Sequence, residues 1–92
     1  MSIEDWRKKI DELDAQLVEL LNARSRCAAE IGKLKQKDGQ PIYSQERERE
    51  ILERVQQLNR GPLGNDALKR LFERILDEAR VVEKQSFEKK EE

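Results

Sequence analysis

Apolar residues recur along the first third of the chain at spacings of three and four: Ile3, Trp6, Ile10, Leu13, Leu17, Leu20, Cys27, Ile31 and Leu34. This is the period of one helical face, and it predicts a single helix over about residues 3–37. Gly32 is its one weak residue, and the run stops at Asp38-Gly39-Gln40-Pro41. At about 1.5 Å per residue the helix spans roughly 50 Å, too long for a compact three-helix monomer, so it is expected to reach another subunit. A second helix is predicted over about residues 44–59, with Ser44 as N-cap, Glu46 in the first turn and Ile51, Leu52, Val55 and Leu58 as buried face. Its expected stop is Asn59-Arg60-Gly61-Pro62, where Gly61 can supply a left-handed cap. A third helix over about residues 65–85 shows the stripe Leu68, Leu71, Phe72, Ile75, Leu76, Ala79 and Val82, with Glu83 on its edge. Residues 88–92 are all charged and are expected to fray. The fold class expected is all-α, three helices in one domain over residues 1–92, with a very long first helix.

One position breaks the first stripe. Counting in sevens from Ile3 through Ile10 and Leu17, the next residue is Arg24 and the one after is Ile31. A guanidinium facing a core costs several kcal/mol unless an anion answers it. Arg7 and Lys35 flank the same stripe, each one residue after a core-facing position, Trp6 and Leu34. On the second helix Ser44, Arg47 and Glu48 point the same way as Ile51. Arg47 and Glu48 are adjacent in sequence, so they do not face each other and are not expected to neutralise one another.

Composition narrows the partners. Of the 92 residues, 42% are charged and 4% aromatic, yet the net charge is only −1 and both signs are interleaved. No basic cluster with stacking aromatics appears, so nucleic acid is not an expected partner. No leader-like start and no long apolar run is present, which points away from membranes and to the cytosol. The single cysteine, Cys27, fits a reducing compartment and reads as a small core residue rather than a reactive thiol. There is no histidine, which removes the usual general base, the commonest metal ligand and any Ser-His or Cys-His pair.

The inward charges suit one small anion. Arg24 and Lys35 are eleven residues apart, almost three turns, so they share a face and lie roughly 16 Å apart. Arg7 is seventeen residues from Arg24, roughly 25 Å away, and cannot reach the same anion from its own helix. If two first helices pack antiparallel about a two-fold axis, Arg7 of one comes opposite the region around residue 30 of the other, giving two equivalent sites built from both chains. Singly, each charge reads better as a snorkelling or salt-bridged surface residue, Arg24 on the stripe itself being the most evenly balanced. Together they describe a polyanion pocket with an element that reads a hydroxyl.

The run from Trp6 to Asp14, then Leu20-Leu21-Asn22-Ala23-Arg24, Ile31-Gly32-Lys33-Leu34-Lys35 and Pro41 to Glu48 resembles the AroQ-type, all-helical chorismate mutases, from about Asp5 to Glu83. The resemblance implies an intertwined homodimer that converts chorismate to prephenate, an intramolecular Claisen rearrangement needing no cofactor, metal or nucleophile. It implies that Arg24 and the partner chain's copy of Arg7 hold the two substrate carboxylates. Lys35 then donates to the ether oxygen, Glu48 accepts from the ring hydroxyl and Arg47 lines the pocket. Three positions depart from the commonest pattern: Ser44 for Asp, Ala79 for Ser, and Glu83 for the Gln that donates a second hydrogen bond to the ether oxygen. An ionised Glu cannot donate. Turnover is therefore expected to fall as pH rises, and Glu83→Gln to flatten that profile. The same scaffold leaves room for pyruvate elimination from isochorismate, or for a non-catalytic or partner-dependent dimerisation module.

Overall fold

The computed structural model describes residues 1–88, as three helices joined by two short loops: α1 (Ile3–Asp38), α2 (Gln45–Leu58) and α3 (Asn65–Glu88). The tail expected to fray lies outside the described residues apart from Glu88, with which α3 ends. Helix α1 starts where a capping box allows it: the Ser2 hydroxyl accepts from the Asp5 amide, and the Asp5 side chain accepts from the Ser2 amide. The Ser2 amide and then the Ser2 hydroxyl, both donating to Asp5 Oδ2, hold that carboxyl below its ordinary value. It runs 36 residues without a break and closes on Gly39, whose φ of 70° is the left-handed cap conformation.

Helix α2 has the expected N-cap, with the Ser44 hydroxyl accepting from the Arg47 amide at 3.2 Å. Its end differs from the sequence reading. The helix stops at Leu58 and is capped by Asn59 in an extended conformation, whereas Gly61 takes its positive φ later, inside the turn. The Asn59 side chain explains the early stop: it donates to Leu63 O and to Asn65 Oδ1 and accepts from the Gly61 amide, fastening the loop onto the start of α3. Helix α3 also runs three residues past the expected end at 85.

Helix α3 is the central element. It packs along α1 and against α2, while α1 and α2 barely meet. The chain is a flat, elongated body of 54 × 29 × 15 Å. Very little of it is core. Among the described residues the buried apolar side chains are Ala28, Ile51 and Leu76. The stripe that the sequence marks as core is not buried within the chain: Ile10, Leu17, Ile31 and Leu34 are all about half exposed, and Leu58 and Leu71 are exposed as well. The reason is angular. Ala28 and Gly32, the residues of α1 that are buried, lie roughly 60–100° around the helix from Ile31. The chain folds on a face of small residues and leaves its apolar face open.

Candidate active site

The face that α1 turns toward α3 carries Arg24, Ala28, Gly32 and Lys35, at steps of four, four and three, so two small residues lie between two cations. Gly32 has no room for a side chain. A Cβ there would lie 2.5 Å from the carbonyl oxygen of Glu83 and 2.9 Å from its Cα. The backbone of α3 therefore touches α1 one turn before Lys35, and this approach brings the Glu83 carboxylate to the Lys35 ammonium.

Lys35 Nζ donates to Glu83 Oε1 at 2.8 Å and to the Ile42 carbonyl at 2.6 Å. The two side chains are 19% and 12% exposed, so the pair is held inside the chain rather than on its surface. An ammonium carries three protons. Two have acceptors here, and the third is left for whatever enters the space beside it. Glu83, read from sequence as a residue on the edge of the stripe, is in fact buried at 9% exposure. Its second oxygen, Oε2, takes no part in the Lys35 contact.

That space is an open cleft of about 680 Å³, within the range of small-ligand sites. It is lined by Arg24 and Lys35 from α1, Ser44, Arg47 and Glu48 from the first turn of α2 and its cap, and Ala79 and Glu83 from α3. Seven of the eight residues singled out in the sequence thus meet around one space. The eighth, Arg7, lies exposed in the distant half of α1 and does not reach its own chain's cleft. Cys27 also lines the cleft and is exposed, so it is no core residue of this chain; the stripe it belongs to is the open one.

The cleft is cationic. Arg54 and Arg80 join Arg24, Lys35 and Arg47, five cations against the carboxylates of Glu48 and Glu83. Lys35 pairs with Glu83, and Arg80 with Glu48. Arg47 reaches Glu50 at 3.7 Å on the exposed side of α2, and among the described residues Arg24 has no ion-pair partner. The remaining positive charge suits an anionic ligand.

Nothing in the sequence pattern singles out Arg80. It sits between Ala79 and Val81 on α3, donates from Nη1 to Glu48 Oε2 and from Nη2 to Asp77 Oδ1, and lies 5.4 Å from the centre of the Tyr43 ring. The bond to Glu48 holds its guanidinium above the ordinary range, against the opposing effect of partial burial. Its partner is 32 residues away, so no local spacing signals the pair. Nor does periodicity signal Gly32, which reads only as a weak helix residue. Among the described residues no group of three or more His, Cys, Asp or Glu is placed to hold a metal, and no helix is long and apolar enough to cross a membrane.

Comparison with known proteins gives one consistent answer. The family model for chorismate mutase type II matches residues 6–84. The chain is 41% identical over 78 residues to the bifunctional chorismate mutase/prephenate dehydratase of Neisseria gonorrhoeae; the match takes in 85% of this chain and 21% of that protein. The chain thus spans about a fifth of the length of that curated relative. Among solved structures, chorismate mutase (form II) of Thermus thermophilus superimposes with a TM-score of 0.88 at 32% identity, covering 89% of this chain and 93% of that one. Chorismate mutase of Helicobacter pylori in complex with prephenate superimposes with a TM-score of 0.86 at 31% identity, covering 95% and 94%. With its three helices, its cationic cleft and a family match over most of its length, the chain belongs to the type II chorismate mutase family.

Proposed function

We propose that the chain catalyses the rearrangement of chorismate to prephenate in aromatic amino-acid biosynthesis, as a cytoplasmic homodimer in which each cleft is completed by the partner's copy of Arg7. The observation that carries the reading is the cleft: net positive, of small-molecule size, with Arg24 in no ion pair and one Lys35 proton unclaimed among the described residues. Chorismate carries two carboxylates and a ring hydroxyl. In this reading Arg24 and the second chain's copy of Arg7 hold the carboxylates and fold the substrate so that the carbons to be joined come together. Arg47 lines the cleft beside them, and Ser44 and Ala79 shape its wall.

The reaction breaks one C–O bond and forms one C–C bond within a single molecule, and negative charge builds on the ether oxygen as the C–O bond opens. The free Lys35 proton answers that charge; one such preorganised donor is worth about 3 to 4 kcal/mol. Glu83, which accepts from Lys35 in the free chain, becomes a second donor only in its protonated form. With Oε1 on Lys35, a proton on Oε2 can be given to the same ether oxygen, whereas the ionised carboxylate offers no donor.

The dimer is supported by the open stripe of α1, from Ile3 through Trp6, Ile10, Leu13 and Leu17, which is 48–72% exposed in one chain. A 92-residue chain with three buried apolar residues among those described has little core of its own, and a second copy of α1 offers the same stripe.

The test is the initial rate of chorismate loss, with prephenate identified as product, at about pH 5 and about pH 8. Turnover is expected in wild type, and Glu83→Gln, whose amide donates without needing a proton on a carboxylate, is expected to be at least as fast. Absence of turnover at both pH values overturns the assignment; pyruvate released from isochorismate replaces it with the lyase reaction.

A further inference from the structure

The Glu48 carboxylate does not stand alone in the cleft. It is 22% exposed, and a dianionic substrate beside it would meet a like charge at short range. Arg80 answers that charge from α3 and is itself fixed on every side. Asp77, one turn earlier on the same helix, takes its other terminal nitrogen, and the Tyr43 ring covers its face at 5.4 Å. Tyr43 belongs to the loop between α1 and α2, which Lys35 also grips through the Ile42 carbonyl. One guanidinium thus ties together the first turn of α2, the loop before it and the middle of α3.

We propose that Arg80 is a positioning residue for the reaction: by holding Glu48 Oε2 it fixes the carboxylate with Oε1 turned to the ring hydroxyl of the substrate, and by stacking on Tyr43 it keeps the loop closed over that corner of the cleft. The inference rests on the chorismate reading, in which Glu48 is the hydroxyl acceptor. Arg80 does not itself touch the substrate. A carboxylate held through one oxygen keeps lone pairs on its free oxygen, so the hydroxyl is read by an acceptor of set direction. Lysine cannot replace this arrangement in full, because an ammonium lacks both the fork and the flat face that covers Tyr43.

The experiment compares wild type, Arg80→Lys, Arg80→Met, Glu48→Ala and the double variant Glu48→Ala/Arg80→Met, on chorismate and on the analogue in which the ring hydroxyl is replaced by hydrogen. For Arg80→Met the expected result on chorismate is a loss of roughly ten- to a hundredfold in kcat/KM, with Arg80→Lys intermediate. The double variant is expected to be no worse than Glu48→Ala. On the deoxy analogue Arg80→Lys, which keeps a positive charge facing Glu48, should match wild type to within about twofold, because the hydroxyl it serves is gone; Arg80→Met leaves Glu48 unanswered and should lose less on the analogue than on chorismate. Equal losses for Arg80→Lys on both substrates, or additive losses in the double variant, overturn the proposal. Thermal melting of each variant identifies one that fails to fold, and Arg80→Lys, which keeps the charge, still decides the question in that case. A wild-type chain inert toward chorismate defeats the functional reading and this inference together; an active wild type with additive losses defeats the inference alone.

Discussion

The two halves of α1 obey the same three-and-four repeat and do opposite things with it. From Ile3 to about Leu21 the helix is exposed all round among the described residues: Trp6 is 55% exposed, Leu17 55% and Leu20 67%. From Ala23 to Lys35 it packs on α3 through Ala28 and Gly32 and turns its two inward cations into the cleft. An apolar stripe of this size that stays open in one copy is a surface awaiting a partner, whereas a stripe of small residues lets backbones approach and sets the positions of charges. The site is thus built at one end of a helix whose other half stays open, and Arg7 lies on that open half, where the proposed second chain would meet it.

The comparison is broken most severely by spoiling the open half. Leu17→Asp puts a charge in the middle of the stripe, and its expected effect is loss of the dimer and of all measurable turnover, checked by sedimentation together with the chorismate assay. A dimer that survives with full activity would remove the open half from the function. Next in size is the exchange of site halves. Arg7→Ala and Arg24→Ala should each cost on the order of a hundredfold or more in turnover. Mixed in equal amounts, the two should recover about one quarter of wild-type activity, since half the dimers are mixed and each of those holds one intact site. No recovery after subunit exchange would place Arg7 outside the partner's site. The smallest effect belongs to the packed half. Gly32→Ala forces a methyl against the Glu83 carbonyl, at an expected cost of about 1–3 kcal/mol in stability. Urea titration measures that cost, and activity should fall with it because the Lys35–Glu83 pair is moved. An unchanged midpoint would mean that α3 can slide away without loss.

Part of the site is legible without any coordinates. Arg24 stands out because it breaks a repeat, and Ser44 because a serine before a helical pattern is a cap; both follow from local rules. Lys35 and Arg7 are marked by their place beside the stripe. Other features have no local signature. Glu83 and Lys35 are 48 residues apart and Arg80 and Glu48 are 32 apart, so nothing in the spacing of either pair announces a contact. Gly32 looks like a flaw in a helix because propensity counts only its missing side chain, and the side chain is missing to make room for α3. Cys27 lies on an apolar face that its own chain leaves uncovered, for a related reason: periodicity shows that a face is apolar, not what covers it.

The sequence by itself determined the three helices, the length of the first, the cap at Ser44, and the family, because these depend on the order of residues along the chain and on interactions within one or two turns. Tertiary structure alone decided which face of α1 meets α3, which carboxylate answers which cation, and that the apolar stripe stays open in a single copy. Those outcomes depend on how closely two backbones can approach at Gly32, a distance set by the absence of one methyl group and amplified along α3 into the geometry of the cleft.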